Sequence, residues 1–164
     1  MKTFKTLPGG SVDDVTFSVT ASSINAYGFN MNIVSSDPTI YYVAGVCEAE
    51  LYNEAQFIDA VNAGFDYYLA GSKDFNPMYT VAETLDQYYY NGNNSLSISG
   101  VQPDTEVMAY IYALDIKTGH VAKCFMQRLD THEADLQSIP LADCPRNSER
   151  ILLLSLTLLS VTIR

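Results

Sequence analysis

The sequence predicts a mainly β protein: an antiparallel β-sandwich with two short helices inserted between its third and fourth strands. Three observations predict it. Val101, Val107, Ala109, Ile111 and Ala113 fall on one side of an extended chain that begins after a Pro103-Asp104-Thr105 corner and ends at Lys117-Thr118-Gly119. Upstream, Val15-Phe17-Val19 and Phe29-Met31-Ile33 repeat the same period-two alternation of half-buried strands. Between these two strand-rich regions the period lengthens to that of a helix, with Phe57, Ile58, Val61 and Phe65 on one face.

In chain order, strands are expected near 15–21, 28–35 and 39–48. Ser35-Ser36-Asp37-Pro38 turns the chain between the second and third, Asp favouring turn initiation and Pro fixing φ. The third is rich in Ile, Tyr and Val, residues that suit a pleated surface. Asn53 with Gln56 three residues on is a capping pattern that starts a helix near 53–64, with Gly64 expected to loosen its end. A second helix, near 77–90, starts at Asn76-Pro77 or at Thr80 with Glu83, turns Val81, Leu85 and Tyr88 or Tyr89 inward, and stops at Asn91-Gly92. Strands near 94–101, 106–115 and 120–128 complete the sandwich.

The Ser-Asp-Pro turn, the Tyr41-Tyr42-Val43 strand and the Pro103-Asp104-Thr105-Glu106 corner resemble strands A to C and the E-to-F corner of an immunoglobulin-like, fibronectin type III-like module. With two helices where that family carries one or two short strands, the chain is similar to the helical-insert modules of surface lipoproteins from Bacteroidetes-type bacteria. The resemblance covers roughly Val15 to Asp130, the size of one domain. It departs from the family in two places: no Trp occurs, and Val107 stands where the corner Tyr normally bonds back to the backbone. Phe29, Tyr41 or Tyr42, and Tyr110 or Tyr112 are expected to fill that volume.

Composition sets the outer limits. A chain of 164 residues, 48% hydrophobic and 17% charged, is globular and long enough for its own core. Its net charge of -10 opposes a nucleic-acid backbone, which is bound through Lys and Arg, and an anionic membrane surface. The chain therefore divides into an N-terminal extension (1–14), the sandwich (15–130), a Pro-containing linker (131–150) and an apolar tail (151–164). Met1 to Gly10 has basic residues but no apolar run after them, so a signal and lipobox would belong to a precursor, and a cell-surface or periplasmic location follows from the resemblance alone. Of the 19 acidic residues, only Glu149 falls after Cys144. The tail is too short for the ~20 residues of a spanning helix, so no membrane insertion is expected. It reads as a β-segment, either the start of a next module or a foreign ending, that self-associates through its unpaired edge.

Chemistry-bearing motifs are sparse. The three Cys give an odd total without metal or redox spacing; in a sandwich of this order Cys47 and Cys124 lie two strands apart, about 9 to 10 Å, beyond disulfide reach. Cys47 is expected to be a small buried hydrophobe, and Cys144 the more reactive thiol. His120 falls in a turn and His132 in a polar stretch, both expected to be solvated. Asp13-Asp14, Glu48, Glu50 and Glu54 lack the spacing of a calcium loop. No catalytic residue, metal ligand or cofactor is predicted. The chemical excess is tyrosine, twelve in all, with runs at 41–42, 67–68 and 88–90. Tyr88, Tyr89 and Tyr90 are the candidate ligand contact, since three consecutive helical positions span too wide an arc for all to be buried. The predicted function is a noncatalytic extracellular binding, adhesion or spacer module of a bacterial surface lipoprotein, gripping a glycan or a surface protein. The alternative is an accessory domain of a larger carbohydrate-active enzyme.

Overall fold

The computed structural model describes residues 10–25, 27–101, 105–129 and 142–143. The elements run β1 (Phe17–Asn25), β2 (Gly28–Ser35), β3 (Tyr41–Glu48), a 3-10 turn (Ala49–Leu51), α1 (Glu54–Phe75), α2 (Val81–Tyr88), β4 (Tyr90–Asn91), β5 (Asn94–Ser99), β6 (Val107–Leu114), β7 (Val121–Leu129) and β8 (Ala142–Asp143). They form two antiparallel sheets, one ordered β1-β2-β5 and the other β4-β3-β6-β7-β8.

The period-two patterns decide how the sheets meet. Phe17, Val19, Phe29, Met31, Ile33, Leu96 and Ile98 from the smaller sheet share one buried cluster with Tyr42, Ala44, Val46, Ala109, Ile111 and Phe125 from the larger. Successive side chains in a strand point to opposite faces, so the intervening residues Val43, Cys47, Met108, Tyr110, Tyr112 and Leu114 form a second cluster. There they meet Phe57, Val61 and Phe65 of α1 and Leu85 of α2. β6 is buried along its whole length because it is covered on both faces. Across the inter-sheet core, Phe17 meets Tyr42 edge-on (centroids 5.0 Å, 68°) and Phe125 likewise (5.1 Å, 71°), contacts worth about 1 kcal/mol each beyond their area.

Tyr42 also pins the crossing from one sheet to the other. Its hydroxyl donates to the Gly92 carbonyl (2.9 Å) and accepts from Asn94 Nδ2 (2.8 Å). Gly92 itself takes φ 61°, the left-handed conformation that ends the short β4.

Several expectations are corrected. α1 does not stop at Gly64 but continues to Phe75. A Cβ at Gly64 or Gly71 would meet nothing within 4 Å, so neither glycine serves a turn. The burial of Phe65 and the partial packing of Leu69 outweigh the roughly 1 kcal/mol that each helical glycine costs relative to Ala. α2 begins at Val81 after a complete Thr80/Glu83 capping box, so Asn76-Pro77 belongs to the connection. Of the residues expected to fill the inter-sheet volume, Phe29 and Tyr42 do so, while Tyr110 and Tyr112 face the helices. β8 pairs with β7 inside the segment expected to be a linker. His132, Cys144 and the tail over 151–164 lie outside the described residues.

Candidate functional site

The helical layer carries Tyr67, Tyr68 and Tyr88, and its geometry begins with α1. Asn53 caps the helix by accepting the Gln56 N–H through its side chain at 3.2 Å, which fixes the phase that turns Phe57, Val61 and Phe65 into the sheet. Tyr67 turns away from that face, while Tyr68, three residues after Phe65, stays on its side. Tyr67 is 75% exposed, and Tyr68 is half-buried because it lies against the neighbouring helix. Tyr68 stacks on Tyr88 at the end of α2, centroids 4.5 Å apart and planes 19° from parallel, while Tyr67 meets Tyr68 edge-on at 5.8 Å.

The expected contact patch on Tyr88, Tyr89 and Tyr90 rested on one continuous helix, and that premise is corrected. The three do not lie on one helix: α2 ends at Tyr88, Tyr89 is its extended C-cap, and Tyr90 opens β4. Extended backbone alternates side-chain direction. Tyr89 is therefore driven under the helices, 2% exposed, and Tyr90 into the inter-sheet core, 8% exposed. Only Tyr88 keeps an accessible surface, and it shares it with Tyr68.

The middle of α1 is held by the β6–β7 turn. The Asp115 carboxylate accepts the N–H groups of Lys117 (2.6 Å) and Thr118 (3.0 Å), and those bonds hold it below the usual carboxylate range. Gly119 then takes φ 76° over the Phe65 ring, where any Cβ would stand 2.0 Å from the ring edge. The turn delivers His120 to α1, its Nε2 lying 2.8 Å from an oxygen of Asp66, with the imidazole also edge-on to Phe65 at 6.2 Å. His120 is thus partly exposed but placed, where the sequence suggested simple solvation. Asn62 Oδ1 accepts the Val121 N–H (2.8 Å) and completes the seam.

Electrostatics follow burial. The Tyr89 phenol is pushed above its ordinary range by burial, then by Tyr68 and Asp66 nearby. Tyr41, whose hydroxyl lies 3.4 Å from Asp86 of α2, is raised by burial and then by that carboxylate. Both remain protonated donors at neutral pH. The face can stack rings and form hydrogen bonds, and its carboxylates attract cations. Among the described residues, no three His, Cys, Asp or Glu side chains are grouped to hold a metal ion, and no helix is long and apolar enough to cross a membrane.

Comparison with protein families, with characterised proteins and with solved structures gives no match. Sequence reasoning missed Tyr67 and Tyr68 as the neighbours of Tyr88, although the run at 67–68 was visible. The missing signal was the continuation of α1 past Gly64, without which those two residues have no helical face.

Proposed function

We propose that the chain is a noncatalytic extracellular binding, adhesion or spacer module of the fibronectin type III-like kind, from a bacterial cell-surface lipoprotein, and that its helical layer grips a glycan or a surface protein. The observation that carries the reading is the half-buried Tyr68–Tyr88 stack between the two helices, with Tyr67 beside it 75% exposed. Tyrosine offers rigid amphipathic area at low entropic cost, the property that binding surfaces use most. The strand order β1-β2-β5 against β4-β3-β6-β7 supports the family resemblance, since it has the same succession as strands A-B-E against C′-C-F-G.

A glycan-array screen followed by titration of any hit into Tyr67→Ala and Tyr88→Ala variants tests the reading. Binding that weakens at least tenfold in either variant, with the fold retained, is the expected result. Binding that neither substitution changes removes the tyrosine face, and measurable turnover by the purified chain overturns the noncatalytic reading.

A further inference from the structure

Beyond the β6–β7 turn, the α1–α2 connection turns its apolar residues outward. Phe75, the last residue of α1, is 94% exposed, and Met78 is 83% exposed. Side chains of this size normally leave water, and Phe, Tyr and Met are enriched in protein interfaces. Yet this tip is well ordered by its own bonds. Asn76 N–H donates to the Ser72 carbonyl (3.0 Å), the Asn76 side-chain oxygen accepts the Met78 N–H (3.1 Å), and the Asn76 carbonyl accepts the Tyr79 N–H (2.9 Å). The Thr80/Glu83 capping box then locks the next residues. Phe75 and Met78 are therefore held out by a pre-formed scaffold, which lowers the entropy lost on docking.

Charge says what docks there. No charged residue occurs in β1, β2 or β5. From Asp59 to Asp86, by contrast, Lys73 is the sole Lys or Arg against five acidic residues, and Asp74, Glu83 and Asp86 are exposed around the tip. An apolar knob with an acidic surround repels an anionic surface and complements a cationic one.

We propose that the Phe75–Met78 tip docks a basic amphipathic segment of a protein partner, its apolar side chains meeting Phe75 and Met78 and its Lys or Arg residues meeting Asp74, Glu83 and Asp86. The inference rests on the binding-module reading but uses residues outside the tyrosine stack, so each fails separately. The test titrates a synthetic amphipathic Leu/Lys peptide, and its Leu/Glu counterpart, into the isotopically labelled full chain while following backbone amide signals. The Leu/Lys peptide should shift signals from Phe75 to Glu83 in a salt-sensitive manner, the Leu/Glu peptide should shift none, and Phe75→Ser with Met78→Ser should weaken binding at least tenfold. Both side chains are exposed, so that double variant keeps its fold. Equal binding of the two peptides, unchanged affinity in the double variant, or shifts confined to other surfaces would overturn the tip as a docking site. Binding of phosphatidylcholine vesicles that the double variant abolishes would overturn it in favour of a lipid surface. The tyrosine face would still stand or fall on Tyr67→Ala and Tyr88→Ala.

Discussion

Tyr110 lays its phenol over Gly45, its partner across the β3–β6 pair, so closely that a Cβ at position 45 would stand 2.5 Å from the hydroxyl oxygen. The bare backbone and the large ring fill one site together. That placement seals the Tyr110 hydroxyl completely, and it has no hydrogen-bond partner among the described residues. Two strand positions on, Tyr112 stacks on Tyr110 (5.2 Å, 27°), but its hydroxyl donates to Tyr52 at 3.0 Å. The two phenols should therefore respond oppositely to removal of the oxygen. Tyr110→Phe deletes an unsatisfied buried group and is expected to be neutral or stabilising by about 1 kcal/mol, whereas Tyr112→Phe breaks a bond and costs about 1 kcal/mol. Gly45→Ala should destabilise by roughly 1 to 3 kcal/mol through overpacking. Denaturant midpoints of the three variants decide; a loss of stability in Tyr110→Phe would mean that its hydroxyl has a partner after all.

Ile111 is fully buried between Ala44 and Phe125 in the centre of the larger sheet, facing the smaller one. Ile111→Asp would place a carboxylate where neither water nor a cation reaches it. The expected loss is more than about 4 kcal/mol, enough to unfold a marginal domain. Circular dichroism and thermal melts read this directly, and a variant that melts like the parent would refute the assigned face of β6.

The alternation of β1, β2 and β6 makes the two-sheet core legible in the sequence, because a period of two in side chains maps directly onto one face of a sheet. Helix ends were harder. Gly64 looked like a terminator because propensity is local, while the burial of Phe65 and the partial packing of Leu69 that carry α1 onward are tertiary. The placement of the tyrosine run was hidden for the same reason. Whether Tyr89 and Tyr90 face inward depends on where α2 stops, and a shift of one or two residues there turns an exposed helical arc into a buried strand. The tip at Phe75 and Met78 was invisible to periodicity, since an exposed Phe in a connection has the same local pattern as a buried one.

Cys47 should be chemically silent in the folded chain. Burial, then Glu48 beside it, pushes its thiol up to about 12, so the reactive thiolate is nearly absent at neutral pH. Cys124 is only half-buried. Mass-spectrometric mapping after iodoacetamide treatment at pH 8 should show Cys124 modified well before Cys47, and Cys47 modified only when denaturant is added. Comparable rates at both positions in the native state would show that β3 opens far more readily than its packing implies.

Three carboxylates should link the turns to acid. Asp37 is held below its ordinary 3.8 by the Thr39 hydroxyl and then the Thr39 N–H, Glu83 below 4.5 by the Thr80 hydroxyl and then the Thr80 N–H, and Asp115 below 3.8 by the N–H groups of Lys117 and Thr118. A depressed folded-state pKa stabilises the fold above the ordinary value and loses that stabilisation as pH falls through the lowered one. Stability should therefore be level from pH 7 to 5 and decline below about 4, with all three groups contributing in the same direction. Thr80→Ala removes the hydroxyl of the capping box and should cost about 1 kcal/mol at neutral pH. Melts recorded from pH 7 to 2 test both statements; a midpoint that rises on acidification would reverse the assigned sign.

A substitution series over Tyr88, Tyr89 and Tyr90 separates a surface role from a structural one at adjacent positions. Tyr89 packs beneath the helices with Phe65 (5.7 Å), and Tyr90 lies in the inter-sheet core against Tyr42 (6.1 Å). Each loses a large buried ring on change to Ala, by analogy with other buried aromatics about 3 to 5 kcal/mol. Tyr88 loses only its stack with Tyr68 and part of its burial, so Tyr88→Ala should cost about 1 to 2 kcal/mol. Ligand titrations on Tyr88→Ala therefore report on the surface, whereas weakened binding by Tyr89→Ala or Tyr90→Ala would first have to be corrected for the unfolded fraction. Urea unfolding gives the ranking directly: Tyr88→Ala is expected to be the mildest of the three. If it were instead the most damaging, the Tyr68–Tyr88 stack would be a structural seam of the helical layer and the tyrosine face would lose its claim as a binding surface.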